Sequence, residues 1–188
     1  LEYEVKLFSA TGKQLNKNCE KLKTTTPNVQ LEVKNPELWS PETPVLYIAI
    51  TKILDGKKVI DEIETTFGFK TVEWKTDTGF WLNGENVKLK GVCEHWEGGP
   101  VGGAWTKPML RWKLQSLKDI RPSHNPTPPM FYDICDEIGL LVMDEIFDGW
   151  HKKAPQDYGK QAFDEWWQRD VKEWITRDRN HPSVFVWS

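Results

Sequence analysis

Three short stretches of this chain gather the side chains that acid–base and hydrogen-bonding chemistry requires. They are Cys93-Glu94-His95-Trp96-Glu97, Arg121-Pro122-Ser123-His124-Asn125 and Asp144-Glu145-Ile146-Phe147-Asp148-Gly149-Trp150. The first and third follow apolar runs that read as strands, and the second precedes a predicted helix. Brought to one rim, they supply imidazoles and a guanidinium that donate, carboxylates that accept, and indole faces that stack on apolar C–H surface. That mixture suits a polyhydroxylated substrate. Other chemistries are less well served. His95 and His124 lack HxxxH or HxH spacing, so no metal site is expected, and Ser123 sits in no GxSxG elbow. His181, before Pro182, reads as a brace for a turn, and His151, beside Lys152-Lys153, as a solvated loop residue.

The elements that must position these groups fall into two grammars. Up to about Phe69 the pattern has period two: Leu1, Tyr3, Val5 and Leu7 alternate with polar residues, as do Val29, Leu31 and Val33. Turn signals at Thr11-Gly12-Lys13 and Asp55-Gly56-Lys57 separate half-buried antiparallel strands, and Asn35-Pro36-Glu37-Leu38-Trp39-Ser40-Pro41 reads as an irregular crossing before a strand over Val45 to Ile50. About five strands belong in a β-sandwich, fewer than a closed immunoglobulin-like one carries.

From about Lys70 strands alternate with helices. A hairpin around Thr78 to Gly84 leads to an apolar strand, Val87 to Val92. One helix is predicted from Pro108 to about Asp119, and a second from Pro128-Pro129 to Gly139, its expected left-handed cap. A buried strand, Leu140 to Met143, follows. A third helix carries Phe163, Trp166, Trp167, Val171, Trp174 and Ile175 on one face, read as core, with Glu165/Arg169 and Glu173/Arg177 as outward pairs. A last strand covers Val184 to Trp187. This order is that of a parallel α/β structure, broken off halfway if the structure is a (β/α)8 barrel, whose reactive groups sit at the C-terminal ends of strands.

Composition narrows the partners. A net charge of -3 argues against duplex nucleic acid or an anionic membrane face, and no apolar run approaches the roughly 20 residues of a membrane-spanning helix. Cys19, Cys93 and Cys135 are scattered and odd in number, and read as free thiols that do not decide the compartment. The chain opens on Leu1-Glu2-Tyr3-Glu4, with neither an initiator Met nor a signal-peptide core, so the N-terminus is expected to lie upstream and a periplasmic or extracellular location is compatible. Of the 11 tryptophans most are expected in the core, with Trp81, Trp96, Trp105 and Trp150 as exceptions near Gly-rich or polar segments.

Taken together, Asn35 to Pro41, Pro44-Val45-Leu46-Tyr47, Phe67-Gly68-Phe69, Leu82-Asn83-Gly84, Lys90-Gly91-Val92, Ser123-His124-Asn125-Pro126, Leu141 to Glu145 and Arg177 to Val184 resemble glycoside hydrolase family 2. Tyr132-Asp133 and Cys135-Asp136-Glu137 extend the match. The resemblance implies a multidomain β plus α/β fold: a partial immunoglobulin-like β-sandwich over 1–69, followed over 70–188 by the first half of a TIM-barrel catalytic domain. It implies retaining exo-β-glycosidase chemistry, of β-galactosidase type, on an oligo- or polysaccharide; apart from the resemblance, no cofactor and no metal are expected.

By the same resemblance His95 and His124 match histidines that contact the reactive sugar, and Arg121 the arginine that orients the nucleophile. Asn125, Asp144, Glu145, Trp150 and Trp187 fall among the substrate-binding positions. The acid/base and nucleophilic glutamates of the family have no counterpart up to Ser188, so the chain alone is expected to be inactive; the rival reading is a non-catalytic carbohydrate-binding or structural fragment. Against the family pattern about five residues are absent before Ile120; a real deletion there would remove the second barrel strand, whereas omission of a disordered stretch from the sequence would look the same.

Overall fold

A computed structural model describes residues 1–117, 119–148 and 162–188. The N-terminal part is an antiparallel sheet in the order β2-β1-β3-β4, from β1 (Glu2–Phe8), β2 (Gln14–Lys21), β3 (Tyr47–Asp55) and β4 (Lys58–Phe67). Its hairpins turn at Gly12 and Gly56, whose positive φ of 79° and 58° a side chain would resist. The sheet has four strands where about five were expected. The missing one is the predicted strand at Val29, Leu31 and Val33. These side chains are half-buried and alternate with exposed ones, as the period requires, yet they join no ladder. Their neighbourhood holds Pro27, Pro36, Pro41 and Pro44, which lack the N–H that pairing consumes.

A short antiparallel sheet, β5 (Val72–Lys75), β6 (Gly79–Leu82) and β7 (Glu85–Asn86), leads into the parallel sheet β11-β10-β9-β8. Its strands are β8 (Gly91–His95), β9 (Asp119–Ser123), β10 (Leu141–Asp144) and β11 (Val184–Trp187), linked by α1 (Lys107–Leu114), α2 (Pro129–Ile138) and α3 (Ala162–Asp178). This is part of an immunoglobulin-like sandwich followed by the first half of a (β/α)8 barrel, as the family resemblance implied.

Particular boundaries differ from expectation. The first parallel strand is Gly91–His95, because Val87 and Leu89 instead pack partly buried against Phe80 and Leu82. Helix α1 stops at Leu114, and the chain is back in the sheet by Asp119. The second barrel strand is therefore present, with Ile120 and Pro122 buried and Arg121 and Ser123 alternating between them. Helix α2 begins at Pro129 and ends on Gly139 at φ 74°, as predicted. A Cβ at Gly139 would also collide with the Pro41 backbone of the crossing segment.

Of the three tryptophans on α3 Trp174 is buried core, while Trp166 and Trp167 are 45% and 40% exposed, against the expectation that all three are core. The sheet is covered by the arc holding Trp174 and Asp178, one turn apart, and Trp166 lies off that arc beneath the Arg169 guanidinium, 4.9 Å from its ring. The exposed ion pair is Arg169–Glu173 at 2.8 Å, while Arg177 grips Asp178 with two 2.6 Å hydrogen bonds, so the predicted pairing of Glu173 with Arg177 is not formed.

The two parts are locked together by Trp39. It is fully buried with Phe80, Leu82 and Leu141, its indole N–H donates to Asp136 O at 2.9 Å, and its backbone N–H donates to Phe69 O at 2.7 Å. Beside it the Lys70 ammonium donates to the carbonyls of Pro182 and Val184. His181 Nδ1 lies 2.6 Å from Asp136 Oδ2, and Ser183 N–H donates to Asp136 Oδ1 at 2.9 Å.

Burial by itself would lower the His181 pKa. The hydrogen bond and charge of Asp136, with smaller help from Asp133 and Asp178, outweigh it and raise the pKa. Protonated His181 is thus favoured by the fold. Its contribution is complete below the ordinary value of about 6.5 and is lost as pH rises through the elevated one. Half-buried Lys70, lowered to about 8 by loss of solvent around its ammonium, titrates with the opposite sign. Comparing melts of the complete protein with those of His181→Gln between about pH 6 and about pH 9 cancels that part. The wild-type advantage is expected to shrink with rising pH, and an advantage that is flat or grows would contradict the assignment.

Candidate functional site

The C-terminal ends of β8, β9 and β10 bring four of the singled-out side chains together. Glu145, just past β10, accepts from Arg121 Nη1 of β9 at 3.1 Å, and its other oxygen lies 3.3 Å from His124 Nδ1. His95, ending β8, meets His124 edge to face with ring centroids 5.3 Å apart. Parallel pairing dictates this. Cys93 is opposite Arg121 and His95 opposite Ser123, so side chains following equivalent strand ends emerge at one level. The peptide bond between Ser123 and His124 is cis. Arg121 Nε, Ser123 Oγ and Glu145 Oε2 are buried with no hydrogen-bond partner among the described residues.

Asp144 lies beneath this rim, not on it. It is 0% exposed, and its carboxylate receives the Tyr132 hydroxyl at 2.7 Å, the Trp174 indole N–H at 2.9 Å and the Glu145 backbone N–H at 3.0 Å. Burial, then the nearby Asp178 charge, raises its pKa to about 6, while the three donors pull it back. A carboxylate is acceptor-only when ionised, so this all-donor cage fits the charged form and fixes where Glu145 begins. Sequence reasoning did not assign Tyr132 and Trp174 this role. The available signal was that a buried Tyr or Trp needs a partner for its polar tip.

The remaining positions are more dispersed. Trp187, at the end of β11, is 37% exposed and packs edge-on against Trp174 at 4.8 Å. Asn125 is exposed and lines, with Pro126, Ile146, Phe147 and Trp166, a cleft of about 700 Å³ beside α3 that does not include His95 or His124. Trp150 lies outside the described residues. Glu94 pairs with Lys113. No group of His, Cys, Asp and Glu able to hold a metal occurs among the described residues.

Comparison with known proteins gives the class. Residues 1–70 match the model of glycosyl hydrolases family 2, and residues 73–188 match the TIM barrel domain of the same family. The chain belongs to glycoside hydrolase family 2. It is 80% identical, over its whole length, to a Formosa agariphila protein provisionally named a β-glucuronidase, and covers 19% of that protein. It is 44% identical over 85% of its length to the β-galactosidase BoGH2A of Bacteroides ovatus, again covering 19%. A β-glycosidase structure from Bacteroides vulgatus superposes on the entire chain with a TM-score of 0.82 at 35% identity, 25% of that chain being covered. The chain thus spans about a fifth to a quarter of these relatives. The alignment with the Formosa agariphila protein runs over 193 positions, more than the 188 residues present, so that relative carries residues without a counterpart here.

Proposed function

We propose that the complete protein is a retaining exo-β-glycosidase releasing a terminal β-linked sugar. The observation that carries the reading is the gathering of His95, Arg121, His124 and Glu145 at the ends of adjacent parallel strands. In this reading His95, His124 and Asn125 meet sugar hydroxyls, Arg121 orients the nucleophilic carboxylate, and Trp150 and Trp187 line the sugar. Asp144 supports the rim from below. Double displacement needs a nucleophilic carboxylate and an acid/base carboxylate about 5 Å apart, and both come from the remainder of the barrel. The sandwich ends near Phe69 and the catalytic barrel begins near Lys70.

Sequence motifs alone favoured a β-galactoside. The relative at 80% identity bears a β-glucuronidase name, which weighs towards a β-glucuronide as the second reading. The test is a panel of aryl β-glycosides (galactoside, glucuronide, mannoside) given to the complete protein and to the 188-residue polypeptide. The complete protein is expected to turn over one of them well and the polypeptide none. Enzyme-like turnover by the polypeptide, abolished at Glu94, Glu97 or Glu145, would overturn the assignment of the catalytic pair.

A further inference from the structure

We propose that Glu145 is a positioning residue and not a sugar ligand: its carboxylate bridges Arg121 and His124, fixes both, and holds His124 as the Nδ1–H tautomer with Nε2 offered to a sugar hydroxyl. The inference rests on the glycosidase reading above and assigns one residue of that site a role the reading does not require.

The geometry supports it from several directions. Glu145 is only 8% exposed and its Oε1 is taken by Arg121 Nη1 at 3.1 Å; its Oε2 is shut off from solvent and makes no hydrogen bond as placed, the imidazole Nδ1 of His124 being 3.3 Å away as a potential donor. An ionised carboxylate can only accept, so the favourable arrangement puts the imidazole hydrogen on Nδ1 and leaves Nε2 facing elsewhere. The backbone around Glu145 is tied on both sides. Its own N–H donates to Asp144 Oδ1 at 3.0 Å, Ser188 N–H donates to Asp144 O at 2.8 Å, and Ile146 N–H donates to Ser188 O at 3.3 Å. The carboxylate cannot swing into the substrate space without leaving the Arg121 guanidinium and the His124 ring. His95 packs the His124 ring edge to face at 5.3 Å, so the imidazole is held by its neighbour as well as by Glu145.

The experiment uses the complete protein and two readouts. In the kinetic cycle, Glu145→Gln lowers kcat/KM about tenfold to a hundredfold, by analogy with the groups that orient metal-binding histidines, with the loss in kcat more than in KM. Combined with His124→Ala it costs clearly less than the product of the two single losses, because part of its effect runs through that ring and only the Arg121 part remains to be lost. Glu145→Asp, which keeps the charge but not the reach, behaves like Glu145→Gln. In the second readout, 15N-histidine NMR of the wild-type protein shows His124 protonated at Nδ1. Multiplicative losses in the cycle, or an Nε2–H tautomer, would overturn the proposal while wild-type turnover leaves the glycosidase reading intact. Failure of the wild-type protein to turn over any aryl β-glycoside removes the glycosidase reading instead. If both substitutions prevent folding, the wild-type tautomer alone decides.

Discussion

In the complete protein, His124→Ala and His95→Ala each lower kcat/KM about 30-fold to 1,000-fold, a loss of about 2 to 4 kcal/mol by analogy with oxyanion-hole donors. The motivation is position. Both rings sit just past parallel strand ends, His95 is exposed and His124 half-buried, and they face each other at 5.3 Å. An imidazole there can hydrogen-bond a sugar hydroxyl, and such bonds strengthen as the ring distorts towards the oxocarbenium-like transition state. Neither side chain belongs to a buried cluster, so truncation should cost little stability. Steady-state kinetics and thermal melts on the same variants separate the cases. A variant with near-normal kcat/KM, or one whose lost activity tracks a large fall in melting temperature, would show that histidine to be structural.

Trp39→Ala has the largest expected effect on stability, about 3 to 5 kcal/mol, the range for removing a large buried aromatic side chain. The residue is fully buried where the sandwich meets the barrel, and the truncation would leave both a cavity against Phe80, Leu82 and Leu141 and the Asp136 carbonyl without its donor. Trp39→Phe keeps most of the volume but loses the N–H and part of the indole ring, so it should cost less than the truncation to Ala, about 1 to 3 kcal/mol. Denaturant unfolding of the complete protein, read by a barrel probe and a sandwich probe, is the measurement. A change below about 1 kcal/mol for Trp39→Ala would mean that the joint is held by other contacts, such as those of Lys70.

Several features were written locally and could be read without a structure. Pro129 opens α2 and Gly139 closes it in the left-handed region; Val184–Trp187 follows Asn180-His181-Pro182 as a strand. The strand–helix alternation with polar runs at strand ends was enough to choose the rim. These are properties of residues a turn or less apart, where propensity and capping dominate. The period-two pattern at Val29, Leu31 and Val33 shows the limit of such reading. It reported half-burial correctly, but whether a segment joins a ladder depends on a partner strand elsewhere.

What the sequence determined by itself was therefore the family, the order of elements and the set of polar residues near the strand ends. Tertiary structure decided how those residues divide their work. Asp144 and Glu145 are adjacent in the chain, yet one is caged below the rim by Tyr132 and Trp174 while the other accepts from Arg121 and lies 3.3 Å from His124. The same holds for Trp39, whose partner Asp136 lies 97 residues away, and for Trp166 and Trp174, one exposed and one buried on a single helix. Period and propensity act through neighbours in sequence. Pairing of charges, burial of a carboxylate and closure of a domain joint act through neighbours in space, which β8 to β11 and the helices between them bring together only once the chain has folded.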